Sequence, residues 1–212
     1  MEKSMSEIHQ LPLGPLQTNC YILACTKTKQ AAVIDPSWNG RQIATFATER
    51  GYTITHILLT HTHFDHVGGL AELKETTNAP IYVHPEAIPM LEHAPQAAAL
   101  WNLQVPPPPK PDIMLAAGDK IEIGTLTLEV LYTPGHAPGH VCFYLAAENV
   151  LFDGDVLFQG SIGRFDLPGS DYQQLMNSLQ KLLQLPDATQ VLSGHGPATT
   201  IGQEKQWNPF LQ

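Results

Sequence analysis

Thr60-His61-Thr62-His63-Phe64-Asp65-His66 is the stretch whose reading decides the fold. It follows a continuous apolar run of strand length, residues 54 to 60, of the kind that a strand covered on both faces requires. A helical pattern follows it, from about residue 68 to 78. Three histidines and an aspartate thus stand beside a buried strand, where their ring nitrogens need partners. Imidazole and carboxylate are the usual ligands of zinc and related ions. His61 and His63 are two residues apart, so an extended backbone points both side chains the same way. Asp65 and His66 fall where the chain turns into the helix and can face a second point nearby. A solvated polar loop is the alternative, and it leaves three imidazoles without a role.

Working outward, the same residue types recur at strand ends. His136 closes Thr133-Pro134-Gly135-His136, Asp155 closes Phe152-Asp153-Gly154-Asp155, and His195 lies in Ser193-Gly194-His195-Gly196-Pro197. The neighbouring glycines let the backbone approach closely or take a positive φ. Taken singly, each of these residues is a structural residue as often as a ligand. Taken together, all at strand-to-loop junctions, they form a set rather than a coincidence. His9, His56, His84, His93 and His140 carry no comparable signal; His140 is expected to make a local hydrogen bond.

Around these junctions the pattern alternates between strands and helices. Residues 19–26 and 31–35 read as a hairpin, and Asn39 is expected to cap a helix that stops at Gly51. Residues 79–83, 120–123, 125–131, 141–146 and 150–152 read as strands, and 189–192 as the final one. Residues 171–185 form the clearest helical pattern. Residues 85–118, interrupted by Pro85, Pro89 and Pro95 and stiffened by Pro106–Pro109, read as an excursion over the surface. Trp101 and Leu103 within it either cover a site or pack down, packing being the favoured reading. The sum suits an α/β sandwich of two sheets with outer helices.

The 212 residues are enough for one sizeable core, and 43% hydrophobic with 15% charged residues is ordinary for a globular protein. A formal net charge of −9 argues against binding to nucleic acid or to an acidic membrane surface. The first ten residues lack the apolar run of a secretory signal. Cys20, Cys25 and Cys142 are odd in number and irregularly spaced, which fits a reducing cytoplasm better than a disulfide framework.

The order H-x-H-x-D-H, then G-H, G-D and G-H-G resembles the metallo-β-lactamase superfamily. Within it, Phe152-Asp153-Gly154-Asp155-Val156-Leu157-Phe158 and Ser161-Ile162-Gly163-Arg164 are similar to glyoxalase II, the hydroxyacylglutathione hydrolases. Ser193-Gly194-His195-Gly196-Pro197 and Asn208-Pro209-Phe210-Leu211 are similar to its short bacterial members. The resemblance implies one domain over residues 1–212, with a four-layer αββα sandwich of two mixed sheets. It implies two divalent metal ions, zinc first, with iron or manganese as alternatives. His61, His63 and His136 would hold one ion, Asp65, His66 and His195 the other, and Asp155 would bridge them. Asp35 would brace the site from behind, Asp65 would help orient the attacking water, and Arg164 would contact the substrate or simply pair with Asp166. Two such ions outweigh the charge of their carboxylates and would draw in a small anionic thioester, S-lactoylglutathione or a related acyl-glutathione.

Two departures from full-length glyoxalase II stand out. The chain ends soon after His195, where those enzymes continue into a helical domain, and this predicts a more open pocket. Asp153 stands where the family more often has a small residue, either as a spare acid or as an exposed one. Other readings are a persulfide dioxygenase with one iron on His61, His136 and Asp155, and a lactone or ester hydrolase. A true β-lactamase is disfavoured by the lack of an export signal. A binding scaffold is disfavoured because all seven ligand positions are filled. A nuclease is opposed by the acidic balance.

Overall fold

The computed structural model describes residues 5–212. Strand β1 (Ser6–Leu13) pairs antiparallel with β2 (Thr18–Cys25), and β2 with β3 (Gln30–Ile34). Helix α1 (Gly40–Glu49) leads into β4 (Thr53–Leu58), which joins β3 in parallel. Helices α2 (Phe64–Val67) and α3 (Leu70–Thr77) precede β5 (Ile81–Val83). Helices α4 (Ile88–Glu92) and α5 (Ala94–Ala99) precede β6 (Ile113–Met114), and β5 and β6 extend the parallel run. These six strands form the first sheet in chain order.

The second sheet takes up β7 (Lys120–Ile123), β8 (Leu126–Tyr132), β9 (Val141–Leu145) and β10 (Val150–Gly154). A two-stranded hairpin, β11 (Leu157–Phe158) with β12 (Ser161–Ile162), stands apart from it. After helix α6 (Tyr172–Leu182), β13 (Gln190–Ser193) and β14 (Thr199–Thr200) complete the sheet, in the order β14-β13-β10-β9-β8-β7, and helix α7 (Ile201–Trp207) follows.

Alternation along the strands makes three apolar layers. Ile22, Val33 and Ile57 face outward onto Ile43, Leu70 and Leu73 of α1 and α3. Their neighbours Leu23, Ile34 and Leu58 face inward onto Ile121, Leu128, Phe143 and Phe152 of the second sheet. Cys142 and Leu151 face the other way, onto Leu175, Leu179 and Leu182 of α6. Period-two strands covered on both faces and helices apolar on one stripe give this four-layer order. Asp171 caps α6, accepting from the Gln174 amide at 2.8 Å, a contribution of about 1 kcal/mol.

β8, β10 and β13 run parallel within the second sheet, so their C-terminal ends share one edge. The end of β4 and the start of β2 meet that edge. The Val141 amide donates to the Thr60 carbonyl at 2.8 Å, and the Asn19 amide to the Gly194 carbonyl at 2.7 Å.

Several elements differ from the sequence reading. The excursion at 85–118 is in part core: Ala87, Leu91, Ala94 and Ala98 are buried in the outer layer. Pro89 and Pro95 sit in the first turns of α4 and α5, where no intrahelical donor is required. Leu103 packs against the core, whereas Trp101 is 57% exposed and rests against Phe64, ring centroids 6.2 Å apart. The strand read at 189–192 is not the last, since β14 and α7 follow it. Asn39 takes the capping position of α1 in a left-handed conformation and makes no side-chain cap bond. Its amide reaches the Gln42 side chain instead.

Candidate metal centre

Five of the predicted ligands sit just past strand ends and Asp65 and His66 lie within α2, and the structure brings all seven together. The extended backbone after β4 presents His61 and His63, and the loop between β8 and β9 presents His136. His61 Nε2 and His136 Nε2 each lie 3.0 Å from His63 Nδ1. On the other side, His195 Nε2 lies 3.2 Å and His66 Nε2 3.7 Å from Asp65 Oδ2. Asp155 stands between the two groups. Its Oδ1 is 3.5 Å from His66 Nε2, and its Oδ2 is 3.5 Å from His136 Nε2 and 3.7 Å from His195 Nε2.

Tautomers follow from the outer bonds of these rings. Thr60 Oγ1 donates to Asp35 Oδ2 at 2.6 Å, so it accepts from His61 Nδ1 at 3.1 Å. His136 Nδ1 donates to the Arg164 carbonyl at 2.9 Å. Both rings therefore turn bare Nε2 lone pairs toward His63. His66 Nδ1 donates to Asp35 Oδ2 at 3.0 Å. Its Nε2 is buried without a hydrogen-bond partner, as is Asp155 Oδ1. Two bare nitrogens converge on one His63 nitrogen, which can hold at most one proton between them, and two buried polar atoms stay unpaired; such an arrangement is costly in a protein and is what a cation resolves. The residues present therefore fit divalent metal: His61, His63 and His136 form one group able to hold an ion, and Asp65, His66 and His195 another. Asp35, His61 and His66 also lie within ligating distance of one another. That grouping is a brace, because Asp35 is already committed to the Thr60 amide at 2.8 Å, the Thr60 hydroxyl and His66.

Electrostatics agree with this division. Burial pushes His61, His63 and His136 down, His63 to about 3, so they offer neutral imidazoles at neutral pH. Burial opposes charge on His66 too, but the Asp155 and Asp65 carboxylates overcome it and hold His66 well above its ordinary value. Against the same burial, His66 and His195 hold Asp65 down to about 2, and His66 holds Asp155 well below the carboxylate range.

Arg164 lies at the rim. Its guanidinium makes a two-point pair with Asp166, both bonds 2.9 Å, and it is its backbone carbonyl that touches the centre, through His136. Asp153 is fully buried, not exposed; its Oδ2 accepts from the Leu157 amide at 2.7 Å and the Val156 amide at 3.3 Å. Two glycines are dictated by the site. Gly154 has φ +60°, and a Cβ there would meet His140 Nε2 at 2.6 Å. A Cβ on Gly194 would meet Asp155 Oδ1 at 2.3 Å. Thr18, which the sequence reading passed over, donates to Asp65 Oδ2 at 2.8 Å. Nothing local marks it, because its partner is 47 residues away.

The sequence profile of the Metallo-beta-lactamase superfamily matches residues 13–195. The chain belongs to that superfamily, one of metallo-hydrolases. It is 42% identical over 204 residues to the "Probable metallo-hydrolase YqgX" of Bacillus subtilis, covering 95% of this chain and 96% of that one. It is 38% identical over 212 residues to the "Hydroxyacylglutathione hydrolase GloC" of Haemophilus influenzae, covering 96% and 97%. Among solved structures, BLEG-1, described as a B3 metallo-beta-lactamase, superposes with a TM-score of 0.91 at 43% identity, covering 97% and 100%. TTHA1623, in a di-iron-bound form, superposes with a TM-score of 0.89 at 44% identity, covering 96% and 100%. Among the described residues, no helix is long and apolar enough to cross a membrane.

Proposed function

We propose that this chain, as a single metallo-β-lactamase-like domain over residues 1–212, hydrolyses a small anionic thioester, S-lactoylglutathione or a related acyl-glutathione. The observation that carries the reading is Asp155, whose carboxylate lies within 3.5 Å of an imidazole nitrogen of each group, His66 on one side and His136 on the other. His61, His63 and His136 would hold one divalent ion, Asp65, His66 and His195 the second, and Asp155 would touch both. Zinc suits this mixture of nitrogen and oxygen ligands, as do iron and manganese. Bound there, the ions supply Lewis acidity and a water whose pKa falls to about 7.

The chain's own residues do the positioning. Asp65, ionised at neutral pH, is held by Thr18 and His195 with its carboxylate turned into the site, where it can accept a hydrogen bond from a water and aim its lone pair. The Arg164 carbonyl keeps the His136 proton on Nδ1, so Nε2 stays free to ligate. The Arg164–Asp166 pair is exposed and hence weak in water, so an anionic carrier can take the place of Asp166. Cys20, Cys25 and Cys142 are free and buried, which supports a reducing compartment, the cytoplasm.

A second reading, β-lactam hydrolysis, is favoured by one observation, the 43% identity to BLEG-1. A substrate panel with metal content measured on the same sample separates the two. Thiol release from S-lactoylglutathione without oxygen uptake is the expected result. Ring opening of a β-lactam with no thiol release would move the assignment to the second reading, and oxygen uptake on glutathione persulfide would replace both. Asp155→Ala is expected to lose bound metal and turnover together; near-natural rates in that variant would contradict the bridging role.

A further inference from the structure

Of the ten histidines, His140 is fully buried beside the centre yet presents no free nitrogen to it. Its Nε2 faces the Asp155 amide at 3.1 Å, and its Nδ1 faces Thr133 Oγ1 at 3.0 Å. An amide can only donate, so Nε2 is the acceptor and the ring proton sits on Nδ1, which donates to the threonine. The Thr133 hydroxyl then gives its own hydrogen to Cys142 Sγ, 3.2 Å away, and the thiol donates to the Asp153 carbonyl, also at 3.2 Å. The chain of donors begins at the Asp155 amide and ends at the Asp153 carbonyl, closing on either side of Gly154. It thereby encloses the point where β10 leaves its register with β13, between Phe152 and Gly154. The His140 ring also stacks on His61, centroids 5.0 Å apart at 25°.

We propose that His140 is a positioning residue: with Thr133, Cys142 and Asp153 it closes a one-directional hydrogen-bonded ring that fixes the peptide carrying Asp155. The inference rests on the reading of Asp155 as the bridging ligand. A peptide held at both ends of a left-handed glycine cannot rotate, so the Asp155 carboxylate is aimed before any ion arrives. Imidazole suits the place because it carries an acceptor and a donor on opposite sides of a rigid plane. Both its nitrogens are committed, which is why His140 braces the site without joining either ligand group.

The test is zinc affinity, read by competition with a chromophoric chelator, for the natural sequence, His140→Leu, His140→Gln, Thr133→Val and Asp155→Ala. The thermal midpoint of each metal-free protein is read beside it. His140→Leu is expected to bind zinc at least about 10-fold more weakly. His140→Gln, whose amide offers both an acceptor and a donor, is expected to recover most of that loss. Thr133→Val, which keeps its volume and loses the hydroxyl, is expected to weaken binding about fivefold, and it carries the test if the leucine variant does not fold. Unchanged affinity in the leucine and valine variants overturns the proposal, as does an equal loss in the leucine and glutamine variants. So does a fall in thermal midpoint with no change in affinity, which is what a merely structural role gives. If Asp155→Ala loses zinc while the His140 and Thr133 variants keep it, positioning alone fails. If Asp155→Ala itself binds zinc normally, the bridging reading fails instead.

Discussion

Asp35 shows how a single residue can be held in a costly conformation for the sake of its neighbours. Its φ is 50°, a left-handed value uncommon outside glycine, and its side chain is buried. Three hydrogen bonds to its carboxylate, from the Thr60 amide, the Thr60 hydroxyl and His66, over-determine that geometry. Asparagine tolerates the backbone but offers one acceptor oxygen in place of two. Asp35→Asn is therefore expected to keep the fold and bind metal about 10–100-fold more weakly, measured by chelator competition. Natural affinity in that variant would show that His66 needs no brace. The ligands themselves were legible in the sequence because histidine and aspartate are expensive to bury and were grouped at strand ends. Thr18 was not, because a threonine opening a strand carries no such signal. His140 was half legible: the bond to Thr133 is local, but its partner amide at Asp155 is 15 residues away.

At the scale of elements, the central strands and the alternating edge strand β7 were legible, while β1, β6 and β14 were not. β2, β3, β4, β9 and β10 are apolar runs because both faces are covered. β1 is an edge strand, half-exposed and containing Pro12, so it needs no apolar run to pair. β6 and β14 are two residues each, too short for any periodicity. Helix α7 escaped notice yet holds the hairpin beside the site. Glu204, buried on α7, accepts from the Gly160 amide at 2.8 Å, from Asn208 Nδ2 at 2.9 Å and from Thr199 Oγ1 at 2.5 Å. Asn208 Nδ2 also reaches the Ser161 carbonyl at 2.9 Å. Glu204→Ala strands these buried donors, a loss of about 2 kcal/mol. The expected fall in thermal midpoint is about 4–8 °C. A smaller change would mean that the β11–β12 hairpin stands without α7.

For the whole molecule, the centre is a concentration of unfavourable burial that metal relieves. Without metal, His63 titrates at about 3 when folded and near its ordinary 6.5 when unfolded. Below pH 6.5 the unfolded chain therefore binds more protons, and stability falls as the pH drops from 6.5 toward 3. His56, His61, His84, His136 and His140 act in the same direction, as does the lowered Cys25 thiol, while His66, His195 and Asp153, which burial pushes up to about 8, oppose them. With seven groups against three, the chelated protein is expected to melt at a lower temperature at pH 5 than at pH 7.5. Metal at about 1,000 times its dissociation constant stabilises by about 4 kcal/mol. Chelation at pH 7.5 should thus lower the midpoint by about 8–16 °C. A midpoint indifferent to chelation would mean that the fold does not carry the burden assigned to the site. The layered fold could be read from the order of strands and helices, whereas the convergence of seven ligands on one edge came from the family resemblance, since no local pattern records which strand ends meet.

Anomalous diffraction from crystals of the metal-loaded protein tests the central claim most directly. Two peaks are predicted, one bounded by His61, His63 and His136 and the other by Asp65, His66 and His195, with the Asp155 carboxylate between them. A single peak elsewhere on the molecule, or none at full metal loading, would contradict it.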